Sequence, residues 1–510
     1  MGIIIRQSIK GTIANYIGIA IGFVTTFFVL TKYLTTEEVG LTRAMIDIAI
    51  LFSGLAQLGT TSSMMRFYPY FKDAESKDHG VFFWSVIIPF IGFIIFLTIF
   101  LSSKDWIISK YAQNASLLVS YYYFIIPLAF FMLYMSVFEI NSNVLMRITI
   151  PKFIREVVIR ASLLIGYLLY GYFKVISLDS LVIWICGTYA LATLLNVIYL
   201  FSLKKISFKP EWSYLTPQLK KDFTFYTLFL ITAALAGNIT PTLSTLFVTA
   251  KLGLAEMGIF AIATYIASLV DTPYRSLGAI TQPRIAQAMK DKDTEKADYL
   301  CKKVSLNQLL IGSFIFMLIW INTDLIFEVL PNGEKYAAGK WVVFILATSR
   351  LFNSSYSIGT SILSYSKYYY MSLVFTALLT VTAIFLNIHL IPQYGMNGSA
   401  MASLFSYIIY YLLLLALVKW KIGTNPFTWN QLKIFIIIGF LFLANVLWRN
   451  NLYPIFASLP FNPTVNILID GSIKTILFAG IGITACYFWT VSEDVNIILD
   501  KGLRLIKLKK

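Results

Sequence analysis

Fourteen stretches of this chain stay apolar for about 20 residues, the length at which an α-helix crosses the hydrocarbon core of a bilayer. Their cores fall near residues 12–31, 40–64, 80–101, 117–138, 154–173, 180–201, 224–249, 255–280, 304–321, 339–360, 370–390, 396–418, 432–448 and 471–490. In lipid each backbone N–H and C=O must be satisfied within the protein, so runs of this length become helices. A water-soluble fold could not hide them: 58% of the 510 residues are apolar and only 13% charged, against about 25% charged in an ordinary soluble chain. The expected class is an all-α polytopic membrane protein. It has about fourteen transmembrane helices, arranged as two pseudo-symmetric six-helix lobes plus two C-terminal helices.

Loop charge sets the orientation. With the N-terminus in the cytoplasm, 28 of the 41 Lys and Arg residues lie on the cytoplasmic side, nine on the other side and four inside spans. A threefold excess of this kind marks the inner face, so both termini are expected in the cytoplasm. The same bias explains the net charge of +16 without nucleic acid, since no basic tract interleaved with aromatics lies outside the apolar runs. Four segments follow: an N-lobe at 1–203, a cytoplasmic linker at 204–223, a C-lobe at 224–420, and the last two spans with a basic tail at 421–510.

Catalytic chemistry has little to stand on, and the chain reads as a non-enzyme. There are two histidines, His79 and His389, with no metal-ligand partner at helical spacing. Cys186, Cys301 and Cys486 are far apart and odd in number, so they read as small apolar residues and no metal is expected. Gly480-Ile-Gly482 matches a dinucleotide fingerprint in form, yet it lies inside an apolar run with no strand before it, which points to close helix packing.

Charge inside the apolar runs is more informative. Each such residue costs at least about 2.5–3.5 kcal/mol at a helix centre, so it faces a partner or a cavity. Three pairs sit at i, i+4 and share a helix face: Arg43 with Asp47, Glu156 with Arg160, and Asp271 with Arg275. One reading is a self-neutralising structural pair; the other is a cationic or ion-coupling site. Arg350 has no charged neighbour within one turn and needs an anion, water or a carboxylate from another helix. Pro273 should kink the helix that carries Asp271 and Arg275. Gly237, Asn238 and Pro241 should bend span seven, as a gate or as a static kink.

The first charged helix also repeats. Glu38, Gly40 and Arg66 recur as Glu256, Gly258 and Arg284 at an offset of 218. A chain that repeats a charged membrane helix in two halves reads as a transporter.

These features resemble the polysaccharide, or Wzx-type, flippases of the multidrug/oligosaccharidyl-lipid/polysaccharide exporter superfamily. The resemblance is carried by Leu34-Thr-Thr-Glu-Glu-Val-Gly40, by Gln57-Leu-Gly59 with Arg66, by Arg350-Leu-Phe-Asn353 with Ile362-Leu363 and Lys367, and by Tyr394-Gly395-Met-Asn-Gly398-Ser-Ala400. It implies two lobes in a V, alternating access, and a central cationic cavity for a lipid-linked oligosaccharide on polyprenyl pyrophosphate. The implied headgroup ligands are Arg43, Arg275 and Arg350, with Arg160 further out. Asp47 and Asp271 would orient them or bind a coupling H+ or Na+; no other cofactor is implied. The implied setting is the bacterial cytoplasmic membrane, in assembly of cell-surface polysaccharide such as lipopolysaccharide. The implied state is a monomer surrounded by membrane lipid, alone or with other polysaccharide-assembly proteins. An ion-coupled multidrug exporter of the same superfamily is the alternative. A membrane glycosyltransferase or polymerase is a third reading, opposed by the absence of a large outer loop.

Overall fold

The structure is a computed structural model that describes residues 2–73, 78–203, 207, 209–211, 214, 216–217, 242–271, 281–282 and 284–505. Every regular element among the described residues is helical. In chain order the main helices are α1 (Gly2–Val24), α2 (Thr36–Ala56), α3 (Thr60–Phe71), α4 (Val81–Ser102), α5 (Ile125–Val144), α6 (Ile159–Gly171), α7 (Leu178–Ser202), α8 (Thr242–Leu252) and α9 (Leu254–Ser268). They continue as α10 (Thr294–Ile321), α11 (Lys340–Tyr356), α12 (Ile358–Ser364), α13 (Tyr370–Ile422), α14 (Trp429–Asn451), α15 (Pro463–Phe488) and α16 (Glu493–Leu505). Ten helical stretches among the described residues are long and apolar enough to cross a membrane. One of them, α13, holds two expected spans, which meet where Gly395 leaves helical geometry at φ 57°. The chain is a multi-pass membrane protein.

The helix ends explain the motifs that flank them. Thr35 and Glu38 form a capping box: Glu38 N–H donates to Thr35 Oγ1 at 3.2 Å, and Thr35 N–H donates to Glu38 Oε2 at 2.8 Å. The other Glu38 oxygen accepts the Tyr170 hydroxyl. The acidic entry to α2 is thus a cap tied to α6. At the far end, Leu58 and Gly59 both adopt positive φ (47° and 71°), which ends α2 and starts α3. The expected span 40–64 is therefore two helices.

Two compact units divide the chain, Met1–Ala261 and Ile262–Lys510, the boundary falling within α9. In the first unit the repeat is visible as a reciprocal backbone contact. A Cβ added at Gly40 would lie 1.9 Å from the Leu254 carbonyl oxygen, and one added at Gly258 would lie 1.9 Å from the Thr36 carbonyl oxygen. Each glycine thus meets the carbonyl four residues before the other. The matched positions of the two copies are pressed together about a local two-fold, closer than any side chain permits.

The same unit holds part of the linker. His79 stacks on Tyr214 with ring centroids 3.6 Å apart, and its Nδ1 meets Glu211 while its Nε2 lies 3.6 Å from Asp73 Oδ2. Tyr214 donates its hydroxyl to the Tyr70 carbonyl at 2.6 Å. His79 thus helps fasten the linker to the helices before it.

In the second unit α10 packs on α11 and α14, and α11 packs on α13. Gly482 lies against Phe314, where an added Cβ would come within 2.5 Å of the ring. Of the Gly480-Ile-Gly482 run only Gly482 shows the expected close packing; a Cβ added at Gly480 would meet nothing within 4 Å. Lys474 lies in α15 beside Asp470 (3.6 Å), which also accepts the Trp448 indole N–H at 2.7 Å. The helix starts at Pro463, earlier than the apolar window suggests, because Asn462 caps it, accepting from Thr464 N–H, and a proline opens its first turn.

Gly40→Ala should lower the thermal unfolding midpoint of purified protein, because overpacking a tight contact costs about 1–3 kcal/mol or more. Gly187→Ala in α7, where an added Cβ meets nothing within 4 Å, should be neutral or stabilising. Equal behaviour of the two variants would refute the close contact.

Candidate functional site

Buried charge organises both units, and each charge among the described residues described below comes with a partner. In the first unit Asp47 is 4% exposed on α2. Its Oδ2 accepts Arg43 Nε–H at 2.8 Å and the Thr245 hydroxyl at 2.6 Å. Thr245 belongs to α8, so the α2 pair is tied to the helix that precedes the second copy of the repeat. The buried rings of Tyr167 and Tyr189 enclose it: Tyr167 faces Thr42 and Arg43, and Tyr189 lies within electrostatic reach of Arg43, Asp47 and Arg160. Asp47 engages only the Nε edge of Arg43, whose side chain remains 47% exposed. The terminal Nη edge is the one Arg43 has to offer a ligand.

Arg160 is used differently. Its Nη1 donates to the Gly18 carbonyl at 3.0 Å and its Nη2 to Glu156 Oε2 at 2.9 Å. The residues around Glu156 form a π-helical turn, Ile154–Val158, and Gly18 packs so closely on it that an added Cβ would lie 2.5 Å from the Glu156 carbonyl. Arg160 fastens α1 to this turn and commits its terminal edge to the fold.

In the second unit Asp271, also 4% exposed, ends the turn after α9. Its Oδ2 accepts Arg350 Nη1–H at 3.2 Å from α11. The carboxylate that Arg350 requires therefore comes from another helix. Arg275, the partner expected for Asp271 one turn on, lies outside the described residues, as do Pro273 and the span-seven residues Gly237, Asn238 and Pro241.

Arg350 stands at the head of a polar stripe that runs along α11 and α12. Asn353, Ser357, Ser361 and Ser364 follow it at helical spacing and line a cavity of about 450 Å³. Tyr407, Tyr410 and Tyr411 of α13 line the facing side. Tyr411 donates its hydroxyl to Asn353 Oδ1 at 2.8 Å, and Thr360 shares a hydrogen bond with Tyr410 at 3.2 Å. Tyr407 also lies within electrostatic reach of Arg350 and Asp271, so cavity and ion pair adjoin. Sequence reasoning stopped at Arg350. The serine and threonine spacing after it was the signal that would have found the rest.

No group of three or more His, Cys, Asp or Glu residues among the described residues is placed to hold a metal ion.

Residues 4–289 match the family described as polysaccharide biosynthesis protein, more than half of the chain. The chain belongs to that family. Solved structures place its fold. The lipid II flippase MurJ in an inward closed conformation superposes with a TM-score of 0.68 over 94% of this chain and 98% of its own, at 15% identity. An inward-facing multidrug resistance MATE family transporter of the MOP superfamily gives 0.58 over 80% of this chain and 98% of its own, at 15% identity. A MOP superfamily transporter from Pyrococcus furiosus, described as having a binding pocket of reverse polarity, gives 0.54 over 82% and 95%, at 14% identity. No curated protein matches the sequence. The family member thus has the MOP transporter fold, and these structural neighbours are transporters.

The coupling of Arg350 to Asp271 is measurable. Removing either member deprives the other of this contact, so the second removal costs less than the first. Asp271→Ala and Arg350→Ala should each destabilise the protein, and the double variant should recover about 0.5–3 kcal/mol relative to the sum of the two. Additive losses in the unfolding midpoints would show that the pair is not coupled.

Proposed function

We propose that this protein is a flippase that moves a lipid-linked oligosaccharide, carried on polyprenyl pyrophosphate, across the cytoplasmic membrane by alternating access. The observation that carries the reading is the state of the arginines within the apolar helices. Arg43 and Arg350 are each held at a single edge or nitrogen by one carboxylate, with the side chains 47% and 33% exposed. Guanidinium donors that remain on offer suit the oxygens of a pyrophosphate, which they can bind in bidentate fashion. Asp47 and Asp271 then orient the arginines and offset part of their desolvation. The apolar tail needs no protein cavity, because lipid already dissolves it.

Membership of a polysaccharide biosynthesis family supports the same cargo class, and the lipid II flippase is a structural precedent for moving a lipid-linked cargo on this fold. The multidrug alternative takes support from the MATE neighbours. A site for a cationic drug uses unneutralised carboxylates, and here Asp47, Glu156 and Asp271 each face an arginine. That pairing favours an anionic cargo.

The test is transbilayer movement of a lipid-pyrophosphate oligosaccharide in proteoliposomes. Wild-type protein should move it, and Arg350→Ala or Arg275→Ala should slow movement by about tenfold or more, the loss of at least one charge-assisted hydrogen bond to the headgroup. A cationic dye that moves while the lipid-linked sugar does not would transfer the assignment to the drug exporters.

A further inference from the structure

The cavity beside Arg350 has a chemistry of its own. Its described lining residues are uncharged, and its volume of about 450 Å³ falls within the range of small-molecule sites. Much of its surface is hydroxyl, and three of those hydroxyls are already spent as donors. Ser357 Oγ–H donates to the Ser354 carbonyl at 3.1 Å, Ser364 Oγ–H to the Thr360 carbonyl at 2.8 Å, and Thr376 Oγ1–H to the Ser372 carbonyl at 2.7 Å. A hydroxyl has one proton and two lone pairs. Once its proton is given to its own helix, it offers a ligand only acceptors. Donors come from elsewhere on the wall: the Asn353 amide NH2, whose Oδ1 already accepts from Tyr411, the Gln282 amide, and the hydroxyls of Ser361, Tyr365 and Tyr407.

A neutral wall of mixed donors and acceptors selects its ligand. A phosphate would meet no cation among the described lining residues. An organic cation would meet no carboxylate among the described lining residues. A polyol carries many O–H donors, a few acceptors for the Asn353 amide, and apolar C–H faces. The tyrosine rings Tyr407, Tyr410 and Tyr411 supply flat, amphipathic surface for those faces at low conformational cost. Tyr407 lies within electrostatic reach of the Arg350–Asp271 pair, and Asn353 sits one turn along α11 from Arg350.

We propose that this cavity, built from α11, α12 and α13, is a subsite for an uncharged sugar residue whose attached phosphate is held at Arg350. The subsite rests on the flippase reading for its lipid carrier, but its own content is separate: the second unit reads the glycan, not only the pyrophosphate. It assigns a specificity role to Asn353 and Thr360, both uncharged and both remote from the arginine's ion pair in chemistry.

Binding to purified full-length protein separates the two claims. The probes are farnesyl pyrophosphate, which carries no sugar, and the lipid-linked oligosaccharide pool extracted from the source membranes. Wild-type protein should bind the sugar-bearing probe more tightly. Asn353→Ala and Thr360→Val should each weaken that probe by about five- to tenfold, the loss of one neutral hydrogen bond, and leave farnesyl pyrophosphate unchanged. Arg350→Ala should weaken both probes. Unfolding midpoints close to wild type identify the variants that fold, and Tyr410→Phe, which keeps the ring, stands in for any that does not. Equal weakening of both probes by the cavity variants, or none, overturns the subsite. If neither lipid binds wild-type protein, the flippase reading falls. The subsite is then judged with the free oligosaccharide released from the pool by mild acid: binding lost in Asn353→Ala upholds it, and no binding to wild type ends it.

Discussion

An arginine inside an apolar helix has to be satisfied before the helix can settle, and this molecule is arranged around that demand. The guanidinium cannot deprotonate, so it must find oxygen. Arg43 finds Asp47 on its own helix, Arg160 finds Glu156 and the Gly18 carbonyl, and Arg350 finds Asp271 on another element. Each solution decides a packing. Thr245 joins the first pair and draws α8 against α2. Arg160 holds α1 against a π-helical turn, where the wider helix brings the Glu156 backbone up to Gly18. Asp271 fixes the turn after α9 to α11.

The difference among these three solutions bears on function. A pair in which the carboxylate takes one edge leaves a cation with donors in hand, while a pair completed by a backbone carbonyl is closed. Arg43 and Arg350 belong to the first kind and Arg160 to the second. The separation into tethered cations and one structural tie is a matter of which nitrogen is engaged, something that a count of buried charges does not reveal.

Much of this was legible in the sequence because lipid simplifies the code. Apolar length gave the helices, and charge at i, i+4 gave the Arg43–Asp47 and Glu156–Arg160 pairs directly, since both partners lie on one helix. The sequence also showed that Arg350 needed a partner, but not that Asp271 supplies it, because 79 residues separate them and only packing brings them together. Similarly, Gly40 and Gly258 stood out as a repeat, with no sign that they touch. The break at Leu58 and Gly59 was hidden inside an apolar window, where hydropathy is blind to a change of backbone hand. The Asp470–Lys474 pair was missed because the apolar window opened at 471 and separated the two residues, although their i, i+4 spacing is the same signal.

The reciprocal glycine contact has a mechanical meaning. Where Gly40 meets Leu254 and Gly258 meets Thr36, the surfaces are backbone on backbone. Such a seam closes without freezing any rotamer, so ordering it carries none of the side-chain entropy that a leucine seam would lose. It parts without breaking an N–H···O bond of either helix, because its contacts are Cα–H groups against carbonyls. The helices keep their own ladders whether together or apart. A joint of this kind has little hysteresis, and it suits surfaces that meet repeatedly and must fit the same way each time.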